Sequence, residues 1–189
     1  RACTPQMPMW PPLVLSVGLL AHRKGHDVLI EALDRISDLP WKAEIIGRRQ
    51  EPAYTRALET QISEARLTTR ITLCGEVDSD TMHAAYRRDR LFALATRYEG
   101  YGMELSEAML QCLPVVSCAV GAVPGKVGDA GHLVPPNDPS AFSPALRGLL
   151  GDPERAAAAA QASAAHAANL STWADTAQHF ANVIAQVTP

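Results

Sequence analysis

From Leu13 onward, short β-branched or aliphatic runs alternate with longer amphipathic stretches, and this rhythm limits the chain to very few folds. Strand-sized and helix-sized segments in alternation are the pattern of strand–helix–strand crossovers, hence of a parallel sheet. Leu13 to Val17 reads as the first strand, and Val28 to Ile36 as a helix with Val28, Leu29, Ala32, Leu33 and Ile36 on one face. Ala43 to Ile46 is a second strand ending at Gly47, and Pro52 suits the first turn of a helix running to about Ala65. Ile71 to Cys74, Leu91 to Ala95, Val115 to Ser117 and His132 to Val134 complete the strands, with helices near Asp80 to Arg88 and Glu104 to Gln111 between them. Continuous apolar strands such as Leu91 to Ala95 mean that both faces of the sheet are covered. The tail is all helix: Pro139 to Leu150, Pro153 to Ala168 with its alanine run as a surface helix, and Thr172 to Val187, where Thr172 and Asp175 suit a capping box. The expected fold class is α/β, a Rossmann-like three-layer domain with a parallel sheet of about six strands and a helical C-terminal tail.

A chain of 189 residues suits one ordinary domain. Residues 1–12 read as a linker or leftover stretch and residues 13–189 as the domain; a chain opening at Arg1 rather than Met is expected to be a piece of a longer protein. With 47% hydrophobic and 20% charged residues, neither disorder nor a fibrous repeat is suggested. A formal net charge of -3 argues against broad binding to nucleic acid or anionic membrane, so any anion must be held locally. The apolar runs are too short to cross a bilayer and no charged-then-apolar leader opens the chain, which reads as cytoplasmic and not integral to a membrane. Cys3, Cys74, Cys112 and Cys118 show no metal-ligand spacing, so reduced thiols and no metal site are expected.

Open parallel sheets bind ligands beyond the carboxyl ends of their strands. The first strand leads into Gly18-Leu-Leu-Ala-His-Arg-Lys-Gly25, where Arg23 and Lys24 suit either a diphosphate clamp or a solvated basic turn. The Leu91 to Ala95 strand leads into Thr96-Arg-Tyr-Glu-Gly-Tyr-Gly-Met-Glu104, with Gly100 and Gly102 at a helix entrance. Glycines there admit a ligand close to the backbone, and the unpaired first-turn amides with the helix dipole favour an anion. Glu99 before the turn and Glu107 on the helix suit sugar hydroxyls, though the residues alone fit solvent-facing carboxylates equally well. Glu104 reads as an electrostatic helix-start residue.

Taken in order, Arg23-Lys-Gly-His-Asp27, the pair Glu99 and Glu107, Glu107-Ala-Met109, Leu113-Pro-Val-Val116 and Leu133-Val-Pro-Pro136 resemble the C-terminal half of glycosyltransferase family four, retaining enzymes of the two-domain GT-B fold. The resemblance runs from about Leu13 to Ile184. It implies an enzyme that transfers a sugar from a nucleoside diphosphate donor (UDP-, GDP- or ADP-sugar) with retention, through an oxocarbenium-like transition state, with no cofactor and no metal. By the same resemblance, Lys24 with Arg23 contacts the diphosphate, and backbone at Gly100, Tyr101, Gly102 and Met103 holds the β-phosphate and sugar. Glu99 meets sugar hydroxyls, Glu107 accepts from the ribose, and Gly75, Glu76 and Val77 border the base. Glu99 and Lys24 are the residues implied at the chemistry, an N-terminal acceptor-binding domain is the implied partner, and that domain offers a route to peripheral contact with the inner face of the membrane.

Three positions depart from the family pattern. Leu19 stands where an arginine is frequent, Gly121-Ala-Val-Pro-Gly125 lacks the acidic residue of a Gly-Gly-x-Pro-Glu motif, and Cys112 occupies a helix-end position commonly glycine, so that either left-handed strain or a different turn must follow. A non-catalytic nucleotide-sugar binder and a nucleotide-sugar epimerase are the alternative readings. A nicotinamide dehydrogenase fails on the missing GxGxxG turn, and a phosphate-receiver module fails because Gly18 and Gly75 stand where its acidic cluster would be.

Overall fold

The structure, a computed structural model, describes residues 10–88, 90–170 and 173–187. Six strands form one parallel sheet: β1 (Leu13–Val17), β2 (Lys42–Ile46), β3 (Ile71–Gly75), β4 (Leu91–Leu94), β5 (Val115–Cys118) and β6 (His132–Val134), in the order β3-β2-β1-β4-β5-β6. The helices are α1 (His26–Asp34), α2 (Pro52–Glu64), α3 (Ser79–Arg88), α4 (Met103–Leu110), α5 (Val123–Val127), α6 (Pro139–Gly151), α7 (Pro153–Ala167) and α8 (Trp173–Val187). Short 3-10 turns at His22–Lys24 and Gly128–Ala130 complete the described elements.

The sheet separates two apolar layers because successive strand residues point to opposite faces. Val14, Ala43, Ile45 and Ala93 pack with Leu29, Leu33, Leu58, Phe142 and Leu146, placing α1, α2 and α6 on one side. Leu15, Phe92, Leu94 and Val115 pack with Tyr86, Leu105 and Met109, placing α3 and α4 on the other. All of these are under a tenth exposed, so the expected three-layer sandwich is the fold observed.

Expected and observed elements differ mostly by one or two residues at their ends. Helix α5 was not expected, since Val-Pro-Gly-Lys-Val is too short for a periodic signal. The alanine-rich α7 is not merely a surface helix: Ala156, Ser163 and Ala167 are buried and the helix packs on α4. The Asp152 side chain caps its first turn, accepting from the amides of Glu154 and Arg155, and Asp138 caps α6 through Ala141 N. Thr172, and with it the expected capping box, lies outside the described residues. Cys112 has φ 62°, so of the two outcomes open to it, left-handed strain or a different turn, it takes the left-handed one. Cys74 and Cys118 are outside any disulfide but Cys112 is disulfide-bonded, which corrects the expectation of reduced cysteines throughout.

Gly25 joins the 3-10 turn to α1 at φ 66°, and a Cβ there would lie 1.9 Å from the Ala95 carbonyl oxygen. The loop after β1 therefore rests directly on the end of β4. Gly25→Ala is expected to cost at least about 2 kcal/mol, from left-handed strain plus the backbone clash, read as a lowered urea midpoint; an unchanged midpoint would show that the two loops do not depend on this contact.

His26 opens α1 fully buried, its Nδ1 3.5 Å from Ser16 Oγ. Burial drives its pKa down from 6.5 to about 4; the Lys24 charge adds to this, while the Gly18 and Leu19 backbone and Asp27 oppose it. The unfolded chain therefore binds more protons than the folded one between these values, so stability rises with pH across the window and levels off above it. Loss on acidification from pH 6.5 to 4 is expected to reach roughly 3 kcal/mol from this group. Half-buried His132 contributes in the same sense. In denaturant titrations, His26→Gln should flatten the slope between pH 6.5 and 4; a slope equal to the parent's would remove His26 from the account.

Candidate functional site

In this strand order the direction of winding reverses between β1 and β4, and the loops leaving those two strands face each other across the resulting crevice. They are bound together through backbone. The Arg23 carbonyl accepts from Arg97 N at 2.8 Å and from Thr96 Oγ1 at 3.0 Å. A second layer surrounds this seam: Arg97 donates through both terminal nitrogens to the Asp27 carboxylate at 2.8 and 2.7 Å, and through Nε to Asn137 Oδ1 at 2.6 Å. Tyr54 donates to the same carboxylate at 2.6 Å. Burial opposes ionisation of Asp27, but the Arg97 and Tyr54 hydrogen bonds prevail and bring its pKa down to about 2.

Lys24 lies at the centre of the crevice and is only 2% exposed. Its methylenes run over Gly18, where a Cβ would come within 3.1 Å of Lys24 Cδ. Its Nζ donates to Glu99 Oε2 at 2.6 Å and to Glu104 Oε1 at 2.8 Å. Glu99 Oε1 in turn accepts from Gly102 N at 3.2 Å and Tyr101 N at 3.4 Å. Burial would raise the Glu99 pKa, but the Lys24 ammonium and those two amides outweigh it and hold the carboxylate below its usual range. The turn amides thus already serve one carboxylate. The following first-turn amides of α4 lie beyond Gly102, whose φ is 79° and which is the helix N-cap without a side-chain cap.

Glu107 lies one turn along α4, exposed, with Oε2 accepting from Tyr86 Oη at 3.0 Å. Tyr86 is buried, stacked on Phe92 with ring centroids 6.1 Å apart, and its phenol pKa is raised by burial and then by Glu107. A rigid aromatic from α3 therefore holds the Glu107 carboxylate out toward solvent. Gly75 ends β3 at φ 73°, its carbonyl accepting from Gly47 N; Glu76 is exposed, and Val77 packs on the same core face as Tyr86. Arg23, Gly100, Tyr101 and Met103 are exposed, whereas Gly102 is buried.

Of the residues singled out in the sequence, Lys24, Glu99 and Gly100 to Met103 form one contiguous cluster. Glu107 and the segment Gly75 to Val77 belong to the neighbouring α3 side. Sequence reasoning missed Glu104, taken only as a helix-start charge although it is the second carboxylate on Lys24. It also missed Tyr86, for which an aromatic on an amphipathic helix carries no signal beyond packing. A separate hollow of about 520 Å³, lined in part by Trp10, Trp41, Lys42 and Arg70, lies at the opposite end of the sheet. Arg70 there is bonded to the carbonyls of Ser37, Leu39 and Trp41, so its guanidinium is committed to holding the loop after α1. Among the described residues no helix is long and apolar enough to cross a membrane.

Residues 6–166 match the family model described as glycosyl transferases group 1. The chain is 30% identical over 184 residues to the D-inositol 3-phosphate glycosyltransferase of Xylanimonas cellulosilytica, covering 96% of this chain and 44% of that protein. It spans about half the length of the curated relatives it matches. Among solved structures it is similar to a sucrose-phosphate synthase from Thermosynechococcus elongatus (TM-score 0.86, 27% identity, 96% of this chain and 46% of that one). It is also similar to Anabaena Alr3699/HepE in complex with UDP and glucose (TM-score 0.83, 25% identity, 93% and 48%). The C-terminal domain of a group 1 glycosyl transferase protein, LpcC, from Francisella tularensis is matched over 82% of this chain and 83% of that domain, at TM-score 0.76 and 25% identity.

Proposed function

Since the chain belongs to the glycosyl transferases group 1 family, we propose that it is the donor-binding half of a retaining glycosyltransferase and holds a nucleoside diphosphate sugar in the crevice between β1 and β4. The observation that carries this reading is the convergence of Lys24, Glu99 and Glu104 from two βα units at the switch point, with Glu107 presented to solvent beside them.

The parts divide the donor among them. An ammonium has three N–H donors, and Lys24 spends two on Glu99 and Glu104, so one remains for a phosphate oxygen. The first-turn amides of α4 and the helix dipole add fixed positive potential. Arg23, exposed at the rim, adds a mobile charge. Glu107, steadied by Tyr86, accepts from both hydroxyls of the ribose, and Gly75 to Val77 border the base. Glu99 faces the sugar hydroxyls with its orientation set by Lys24 and two amides. As the bond from the anomeric carbon to the diphosphate breaks, charge grows on the leaving group; Lys24 and the α4 amides stabilise that state more than the ground state, which accelerates the step. Protein charge alone meets the leaving group in this reading, without a metal. The acceptor and its site come from a second domain, and the reaction is cytoplasmic.

A non-catalytic nucleotide-sugar binder is the second reading. It is favoured by the exposed Gly125, which has open space where the family motif has an acid, and by Leu19 in place of a cation. Turnover of a sugar donor by the two-domain protein separates these readings.

Calorimetry of the chain with UDP, GDP and ADP should detect one preferred nucleotide. Glu107→Ala is expected to weaken it by about 1–3 kcal/mol through loss of charge-assisted hydrogen bonds, and Tyr86→Phe by less. Equal affinity for Glu107→Ala and the parent would refute the ribose assignment.

A further inference from the structure

The cation at the centre of the crevice is formally outnumbered, for Lys24 sits between two carboxylates and the three side chains together carry one net negative charge. A dianionic ligand needs further positive charge close by. Arg97 does not supply it, being committed to Asp27 and Asn137. Lys126 is placed differently. Its Nζ lies 3.9 Å from the centroid of the Tyr101 ring, and its Cγ would be 3.5 Å from a Cβ at Gly102. It therefore stands over the same turn that supplies the α4 N-terminus. Among the described residues Lys126 makes no ion pair.

The backbone beneath this side chain is fixed. Lys126 N donates to the Ala122 carbonyl at 3.0 Å, and its carbonyl accepts from His166 Nε2 of α7 at 2.9 Å. Ala122 N in turn donates to the Glu99 carbonyl at 2.8 Å, which ties α5 to the Glu99 turn. Nothing lies within 4 Å of a Cβ at the preceding Gly125, so the flank of the lysine is open. A flexible four-carbon stem on a rigid base, its ammonium resting on an aromatic face, suits a charge that waits in one place and acts in another.

We propose that Lys126 is a further donor-binding residue, which leaves the Tyr101 ring to contact the diphosphate of a bound nucleoside diphosphate and so offsets the neutralisation of Lys24 by Glu99 and Glu104. The assignment rests on the donor-site reading above. It also accounts for how the crevice compensates for Leu19: α5 supplies a charge in addition to the one that Arg23 brings from the loop after β1.

The test is titration of UDP, GDP and ADP, and of the corresponding nucleosides, into the parent chain, Lys126→Met, Lys126→Arg and Glu107→Ala, with thermal midpoints confirming that each variant is folded. For the preferred diphosphate, Lys126→Met should lose about tenfold in affinity, the value of one charge-assisted contact. Lys126→Arg should retain most of the affinity, and nucleoside binding should be unchanged. The dependence of affinity on salt should be shallower in Lys126→Met than in the parent. Parent-like diphosphate binding by Lys126→Met, while Glu107→Ala is weakened, overturns this proposal alone. An equal loss for diphosphate and nucleoside also overturns it. No diphosphate binding by the parent chain fails the donor-site reading and this proposal with it.

Discussion

A lysine buried to 2% exposure between two carboxylates is the interaction on which the rest of this crevice depends. Burying an ammonium is costly unless it is paired, and pairing it with two acids from the opposing βα unit turns that cost into a geometric demand. Glu99 must approach from the turn after β4, Glu104 from the first turn of α4, and Lys24 from the loop after β1. None of the three can be placed unless β1 and β4 are neighbours. The strand order therefore positions the site as well as the core.

Backbone carries much of the assembly around that triad. Gly25 against Ala95 and the Arg23 carbonyl against Thr96 and Arg97 join the two loops without calling on the side chains that face the crevice. The Asp27, Arg97 and Tyr54 network then fills the space on the α1 side, and Tyr86 braces α4 from α3. The crevice is thus held from both faces of the sheet, a consequence of having helices on each.

Much of this was legible in the sequence because long periodic segments and strand-end motifs are local signals. The strands from Leu13, Ile71 and His132 began where their apolar runs begin, and Lys24 and Glu99 stood out because cations and glycines cluster at strand ends. The features without a local signal are non-local contacts. Glu104 looked like a dipole-matching residue because its partner, Lys24, is 80 residues away in the chain. Tyr86 carries an ordinary core signature, and only its hydroxyl, reaching Glu107 from another helix, distinguishes it. The alanines of α7 gave no sign of which face would be buried, since alanine is uniform around a helix. Helix α5 was too short to have a period at all.

The carbonyl of Arg23, rather than its guanidinium, is what this residue contributes to joining the two loops. Its side chain is exposed and owes nothing to that junction. Stability and ligand preference are thereby uncoupled at this position: the residue type can drift through descent, retuning the charge at the rim of the crevice, while the fold beneath goes on receiving the same pair of hydrogen bonds.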